Sequence, residues 1–255
     1  MTWDPAQYER FRAERSQPFF DLLALVRHKE AMRTVDLGCG TGELTRELHT
    51  RLGCASSVGY EKSNTMLGKS TAFSSAGLTF AQADINSLDL PRKSLDLVFS
   101  NATLHWLDDH AALFARLTSW LADGGQLAVQ VPANFDHPSH IIASELAREP
   151  PFERALAGYV HRTNVLSPEA YATLLDALGY REQKVRLEVY GHRLASREHV
   201  VEWVKGTLLT AYRERLNDEL YASFLEKYSA RLLPHLKDAR PYFFPFKRIL
   251  MWAAL

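Results

Sequence analysis

Asp36, Glu61, Asp84 and Asn101 each stand at or just after the end of a short apolar run, and together they could bind a nucleoside. The runs cover 31–37, 57–61, 78–84 and 95–100, and each reads as a β-strand. After the first come Gly38, Gly40, Thr41 and Gly42, and from Glu43 to Leu52 apolar positions return at helical spacing. Strand, glycine turn and helix form the opening unit of a doubly wound sheet, whose ligands lie at the carboxyl ends of the strands. Glycine allows positive φ and lets a ligand press against bare backbone. Glu61 is placed to accept hydrogen bonds from both ribose hydroxyls, and Asp84, with Ile85 beside it, from an adenine amino group. Asn101 and Ala102 extend the row, and Lys62 follows Glu61. Met66 either packs against adenine or fills core.

The glycine spacing selects the charge of the ligand. A dinucleotide site uses Gly-x-Gly-x-x-Gly and sets a pyrophosphate on the helix N-terminus. Here the third glycine comes one residue early and Glu43 takes its place. Carboxylates at Glu43 and Asp36 disfavour a diphosphate and suit a cationic or zwitterionic ligand. S-adenosylmethionine is such a ligand. The segment resembles motif I of the class I methyltransferases, Asp/Glu-x-Gly-x-Gly-x-Gly. A glycine-rich turn that binds nothing is the bland alternative.

These strands must be positioned by a larger chain. Its 255 residues, 46% hydrophobic and 24% charged, fit one globular domain with an insertion. Lys+Arg and Asp+Glu balance at 30 each, which leaves no overall electrostatic footprint for nucleic acid or an anionic membrane. Cys39 and Cys54 offer no disulfide framework and no metal-ligand pattern, so no metal is expected. The residues Trp3-Asp4-Pro5 do not read as a signal region, and no apolar run is long enough to span a bilayer. The expectation is a cytoplasmic protein, monomeric or homodimeric.

Residues 3–30 read as a helical flap, with Trp3, Tyr8 and Phe11 either packing or covering the cofactor mouth. Arg15 is a candidate partner for a cofactor carboxylate. Residues 31–132 read as the cofactor-binding core. A helix is expected over 110–121, stopped by Asp123-Gly124-Gly125, and a fifth strand over 126–131. Residues 133–240 read as substrate and cap segments: helices, a break at Pro150-Pro151, a helix over 167–178, a sixth strand over 185–194 and a long helical stretch over 197–233. Residues 241–255 hold the final strand. The expected fold is α/β: a Rossmann-like, seven-stranded, mostly parallel sheet with helices on both faces and an inserted helical cap.

With these residues in view, the chain resembles the trans-aconitate 2-methyltransferase group. The likeness rests on Trp3-Asp4-Pro5-Ala6-Gln7-Tyr8, Glu14-Arg15, Asp36-Leu37-Gly38-Cys39-Gly40 and Ala83-Asp84-Ile85. It continues with Ser100-Asn101-Ala102-Thr103-Leu104-His105-Trp106-Leu107, Leu127-Ala128-Val129-Gln130-Val131-Pro132 and Phe244-Pro245-Phe246. It implies methyl transfer from S-adenosylmethionine to a carboxylate of trans-aconitate, with S-adenosylhomocysteine as product. His105 stands where Gln also occurs in such proteins, which weakens it as a catalytic group.

A carboxylate acceptor is already ionised near neutral pH, since its pKa lies near ~4. No general base is needed, and alignment with exclusion of water carries the rate. A tricarboxylate needs fixed cations and donors, and arginine suits carboxylates best. The candidates are His105, Trp106, Asn134, His137, Trp203, Arg193 and Tyr212, with Arg15, His140, Arg248, Tyr171 and Tyr242 as further donors. For each, core packing or a solvated charge is the competing reading. Three rivals remain: a methyltransferase for another small acid or carrier-bound acyl group, a nicotinamide oxidoreductase, and a non-enzymatic cofactor sensor.

Overall fold

The computed structural model describes residues 16–255. A helix, α1, runs through residues 16–23 and gives way to turns before the sheet begins, so the helix expected to residue 30 stops early. The elements β1 (Arg33–Leu37), α2 (Glu43–Leu52), β2 (Ser56–Glu61), α3 (Asn64–Ser70), β3 (Leu78–Gln82) and β4 (Leu95–Asn101) follow. Then come α4 (His110–Trp120), β5 (Leu121–Pro132), α5 (Pro138–Leu146), α6 (Phe152–Ala155), α7 (Pro168–Ala177) and β6 (Glu182–Leu194). The chain closes with α8 (His199–Lys205), α9 (Thr210–Arg213), α10 (Asp218–Leu232) and β7 (Tyr242–Ala254).

The seven strands lie in the order β3-β2-β1-β4-β5-β7-β6. The first five in that order pair parallel, and β7 runs antiparallel to β5. β1 and β4 are buried on both faces, as parallel strands flanked by helices are. On one face Phe19 of α1 meets Phe99 of β4 edge-on, 5.1 Å between ring centroids. Among the described residues, no helix is long and apolar enough to cross a membrane.

The chain divides into two compact units. The first holds residues up to Pro132, Asn164–Glu188 and Arg248–Leu255; the second holds Ala133–Thr163 and Val189–Lys247. The second is helical and has its own aromatic core: Phe224 packs with Phe152, Tyr212 and Tyr228 at centroid distances of 5.1, 5.0 and 6.4 Å.

The stretch over 197–233 is helical as expected, in three pieces, because Gly206 ends α8 and Asn217 opens α10 as its cap. One expectation is corrected. Leu121 starts β5, and Asp123-Gly124-Gly125 lies inside it, where the register against β4 shifts. The glycines there make an irregularity in the strand and leave the helix stop to Trp120–Leu121.

Candidate functional site

The end of β1 and the glycine turn are built by close approach. Gly38, Gly40 and Gly42 have φ of 78°, 57° and 80°, which favour glycine. A Cβ on Gly38 would lie 2.1 Å from Thr103 Oγ1, and one on Gly42 would lie 2.8 Å from the Phe80 ring. At Gly40 a Cβ would meet nothing within 4 Å. The outer two glycines are therefore dictated by neighbours, while Gly40 turns its bare side to open space. Ser100 Oγ donates to Leu37 O at 2.8 Å, and the Gly38 amide donates to Tyr60 O at 2.8 Å, which ties the ends of β4, β1 and β2 together.

Glu61 spans this turn. Its Oε2 accepts from the Gly40 amide at 3.0 Å and its Oε1 from the Ser63 amide at 2.8 Å. Each carboxylate oxygen can accept more than one hydrogen bond, so both can still receive a hydroxyl. Asp36 is buried beneath, and Thr45 Oγ1 of α2 donates to it at 2.6 Å. Burial pushes the Asp36 carboxyl up to about 6; the Thr45 hydrogen bond opposes this and the Glu61 charge adds to it.

Asp84 follows β3 and accepts from Lys62 Nζ at 2.8 Å and from the Asn86 amide at 2.9 Å. The Lys62 hydrogen bond, aided by Asn86, holds its carboxyl below the usual range. Lys62 thus reaches the site through Asp84. Arg116 of α4 donates to the carbonyls of Ile85 and Asn86 at 2.6 and 2.8 Å, which fixes this loop. Met66 is exposed.

At the end of β4, Asn101 Oδ1 is buried without a hydrogen-bond partner among the described residues. Ala102 adopts a φ of 55°, a left-handed conformation costing roughly 1–2 kcal/mol in an L-residue. Its amide donates to Gln130 O at 2.9 Å. Strain of this kind collects at functional sites. The following 3₁₀ turn, Leu104–Trp106, sets the His105 ring at a tilt against Trp106, 4.6 Å between centroids, and leaves Trp106 52% exposed. His110 supports the turn. A carbonyl only accepts, so Nε2 donates to Leu104 O at 3.1 Å. Burial lowers the His110 pKa and favours the neutral ring, whose Nδ1 then accepts from Tyr171 OH at 2.6 Å. Tyr171 is therefore a supporting group.

The remaining acceptor candidates lie in the helical unit. Asn134 is buried and accepts from the Lys247 amide at 3.2 Å. His137 caps α5, its Nδ1 accepting from the Ser139 amide at 3.2 Å. Tyr212 is fully buried, and its hydroxyl accepts from the His161 amide at 3.1 Å. Trp203 is packed among His192, Phe244 and Phe246. Tyr212 and Trp203 are placed as core groups of their unit. Arg193 is exposed on β6. A cavity of about 280 Å³ in the same unit is lined by His140, Ser144, Arg148 and His161, among others. Arg15 lies outside the described residues.

Three groups that sequence reasoning passed over shape the site: Thr45, Thr103 and Gln130. Gln130 carried a signal, being a buried polar residue in the apolar run Leu127–Val131. Thr103 and Thr45 carried none, because their contacts are made by residues distant in sequence.

Residues 35–129 match the family described as "Methyltransferase domain". The chain is 42% identical over 99% of its length to a trans-aconitate 2-methyltransferase of Deinococcus radiodurans, 98% of which is covered. It is 41% identical over 98% of its length to the protein of the same name in Methylobacterium nodulans, 97% of which is covered. Among solved structures it resembles an S-adenosylmethionine-dependent methyltransferase from Mesorhizobium loti. That match has a TM-score of 0.52 and 20% identity, and covers 94% of this chain and 98% of the other.

Proposed function

The chain belongs to the trans-aconitate 2-methyltransferase family, and from this we propose that it methylates a carboxylate of trans-aconitate, using S-adenosylmethionine and releasing S-adenosylhomocysteine. The observation that carries the cofactor half is the row of side-chain acceptors at the carboxyl ends of β1 to β4, set around a turn open at Gly40. Those residues fit the group: Asn101 Oδ1 is a buried acceptor awaiting a donor, and the ammonium of a zwitterion supplies one.

Glu61 would hold the ribose diol, Asp84 and Ile85 the adenine edge, Met66 an adenine face, and the Gly38–Gly42 turn with Asn101 and Ala102 the amino-acid end. When bound, S-adenosylmethionine supplies an electrophilic methyl, so that a carboxylate lone pair forms the O–CH3 bond as the C–S bond breaks and no proton is lost. The acceptor oxygen is ionised at neutral pH, its pKa being near ~4. His105 and Trp106 therefore serve as a wall that orients the acceptor and excludes water, without taking a proton.

Incubation with methyl-labelled S-adenosylmethionine and trans-aconitate tests the reading. A labelled ester is expected, with a rate nearly flat between pH 6.5 and 8.5. No ester above background would remove the substrate assignment. A steep rise toward high pH would restore a general base.

A further inference from the structure

The sheet face that carries Asn101 continues into a polar group that the cofactor site does not use. Register pairs Asn101 with Gln130, and Gln130 with Leu250. Arg248 precedes Leu250 by two residues and so returns to the same face. The same alternation puts Phe99 and Trp252 on this face. Phe19 packs on Phe99, and Trp252 Nε1 donates to Gln126 at 2.8 Å, so the segment from α1 onward covers it. Gln130 is 0% and Arg248 6% exposed. Arg248 Nη1 donates to Gln130 Oε1 at 3.4 Å, and the amide nitrogen on the same carbon is a second donor close to the guanidinium. That nitrogen is buried and has no hydrogen-bond partner among the described residues, as is true of Asn101 Oδ1 on the next strand. A buried polar atom left unsatisfied costs roughly 1–3 kcal/mol. Two on adjacent strands, one seeking an acceptor and one a donor, mark a place where a ligand of both characters completes the structure.

We propose that Gln130 and Arg248 form the subsite for a carboxylate of the acceptor, one that is not itself methylated. The polarity fits: an amide N–H and a guanidinium donate, a carboxylate accepts, and guanidinium pairs with carboxylate more strongly than a neutral donor does. Position along the sheet fits as well. Glu61 and the glycine turn occupy the ends of β2 and β1, whereas Gln130 lies on β5, two strands beyond β1, or about 10 Å. That is past the reach of the nucleoside and next to Asn101, where the amino-acid end of the cofactor would stop. The bound carboxylate must be a spectator, because a guanidinium draws charge from the oxygens it pairs with and makes them poorer nucleophiles. The subsite thus sets which carboxylate faces the methyl. This inference rests on the proposed function, and the cofactor's own carboxylate is the competing source of the same chemistry.

Arg248→Lys and Gln130→Met are the test variants, with two readouts: steady-state methylation of trans-aconitate, and calorimetric affinity for S-adenosylhomocysteine. The expected result is a rise in KM for trans-aconitate of about 10–100-fold for Arg248→Lys, the usual worth of a hydrogen bond to a charged group. Affinity for S-adenosylhomocysteine should stay within about twofold. A dicarboxylate analogue lacking one carboxylate should lose far less between wild type and variant. If S-adenosylhomocysteine affinity falls while KM holds, the carboxylate is the cofactor's and the proposal fails. If neither changes, the pair is structural and the proposal fails. Should Arg248→Lys not fold, Gln130→Met, which keeps the volume and the charge, decides alone. If wild type does not turn over trans-aconitate, the proposed function is lost. Calorimetry of the S-adenosylhomocysteine-loaded protein with a tricarboxylate then still reads the subsite.

Discussion

Glu61 concentrates the residue-scale argument. One side chain closes the glycine turn through Gly40, caps the approach to α3 through Ser63, and keeps acceptor capacity on both oxygens. Glu61→Gln keeps the shape but replaces one acceptor oxygen by an NH2 group that faces donors. It should weaken S-adenosylhomocysteine affinity by about 10–100-fold, the range for hydrogen bonds to a charged group, with only a modest loss of thermal stability. Calorimetry checks the first and thermal unfolding the second. Unchanged affinity would remove the nucleoside pose. The place of Glu61 beside the glycine turn was legible in the sequence, because an acid ending the second strand of a parallel pair comes back next to the turn that follows the first. Gly38 was legible as a turn, but its cause was not: only the fold shows that Thr103, 65 positions away, leaves no room for a side chain. The same holds for Asp36, whose sequence position suggests a ligand contact and whose surroundings are Thr45 and buried backbone.

Among the elements, β1 and β4 pair in the middle of the sheet, and a charged cluster clamps their amino ends. Asp96 of β4 accepts from Lys29 Nζ at 2.6 Å, from the Arg33 amide at 3.0 Å and from Arg33 Nε at 2.9 Å. Burial alone would raise its pKa, but the hydrogen bonds from Arg33 and Lys29 outweigh burial and hold the carboxyl far below the usual range. The sign follows: the folded state prefers the carboxylate, so the stabilisation is full above the unfolded pKa of ~3.9 and is lost as pH falls below it. Both cations are about half exposed, which discounts the gain, so Asp96→Asn should cost about 1–2 kcal/mol at pH 7. Its cost should shrink steadily as pH falls below ~4, as followed by denaturant midpoints. Sequence periodicity found these strands because buried parallel strands are short apolar runs between turn residues. It found helix over 197–233 but not the breaks within it, where amphipathic spacing persists while Gly206 and Asn217 interrupt the backbone. Element boundaries there follow capping more than hydrophobicity.

For the whole molecule, acid sensitivity is set by histidines as well as carboxylates. His137, His140 and His161 of the helical unit are held neutral by burial, and burial takes His140 down to about 3. The unfolded chain protonates such rings below ~6.5, so stability should fall as pH drops from there, until the folded His140 also titrates near 3. Asp36 acts oppositely: its raised pKa means that acidification from about 6 toward ~4 favours the folded state. The melting temperature should therefore decline between pH 7 and 5, and His140→Gln should flatten that decline. A slope unchanged by His140→Gln would deny these rings their burial. Net charge, balanced in the sequence, predicts none of this, since the effect lies in which groups the fold removes from water. The order of the chain has one more consequence. Every excursion into the second unit leaves and rejoins the sheet at β5, β6 or β7, and none enters between β1 and β4. Insertions, deletions and drift in those excursions cost the nucleoside half no register. A lineage built on this plan can rewrite those later segments while the pairing of β1 to β4 passes down unchanged.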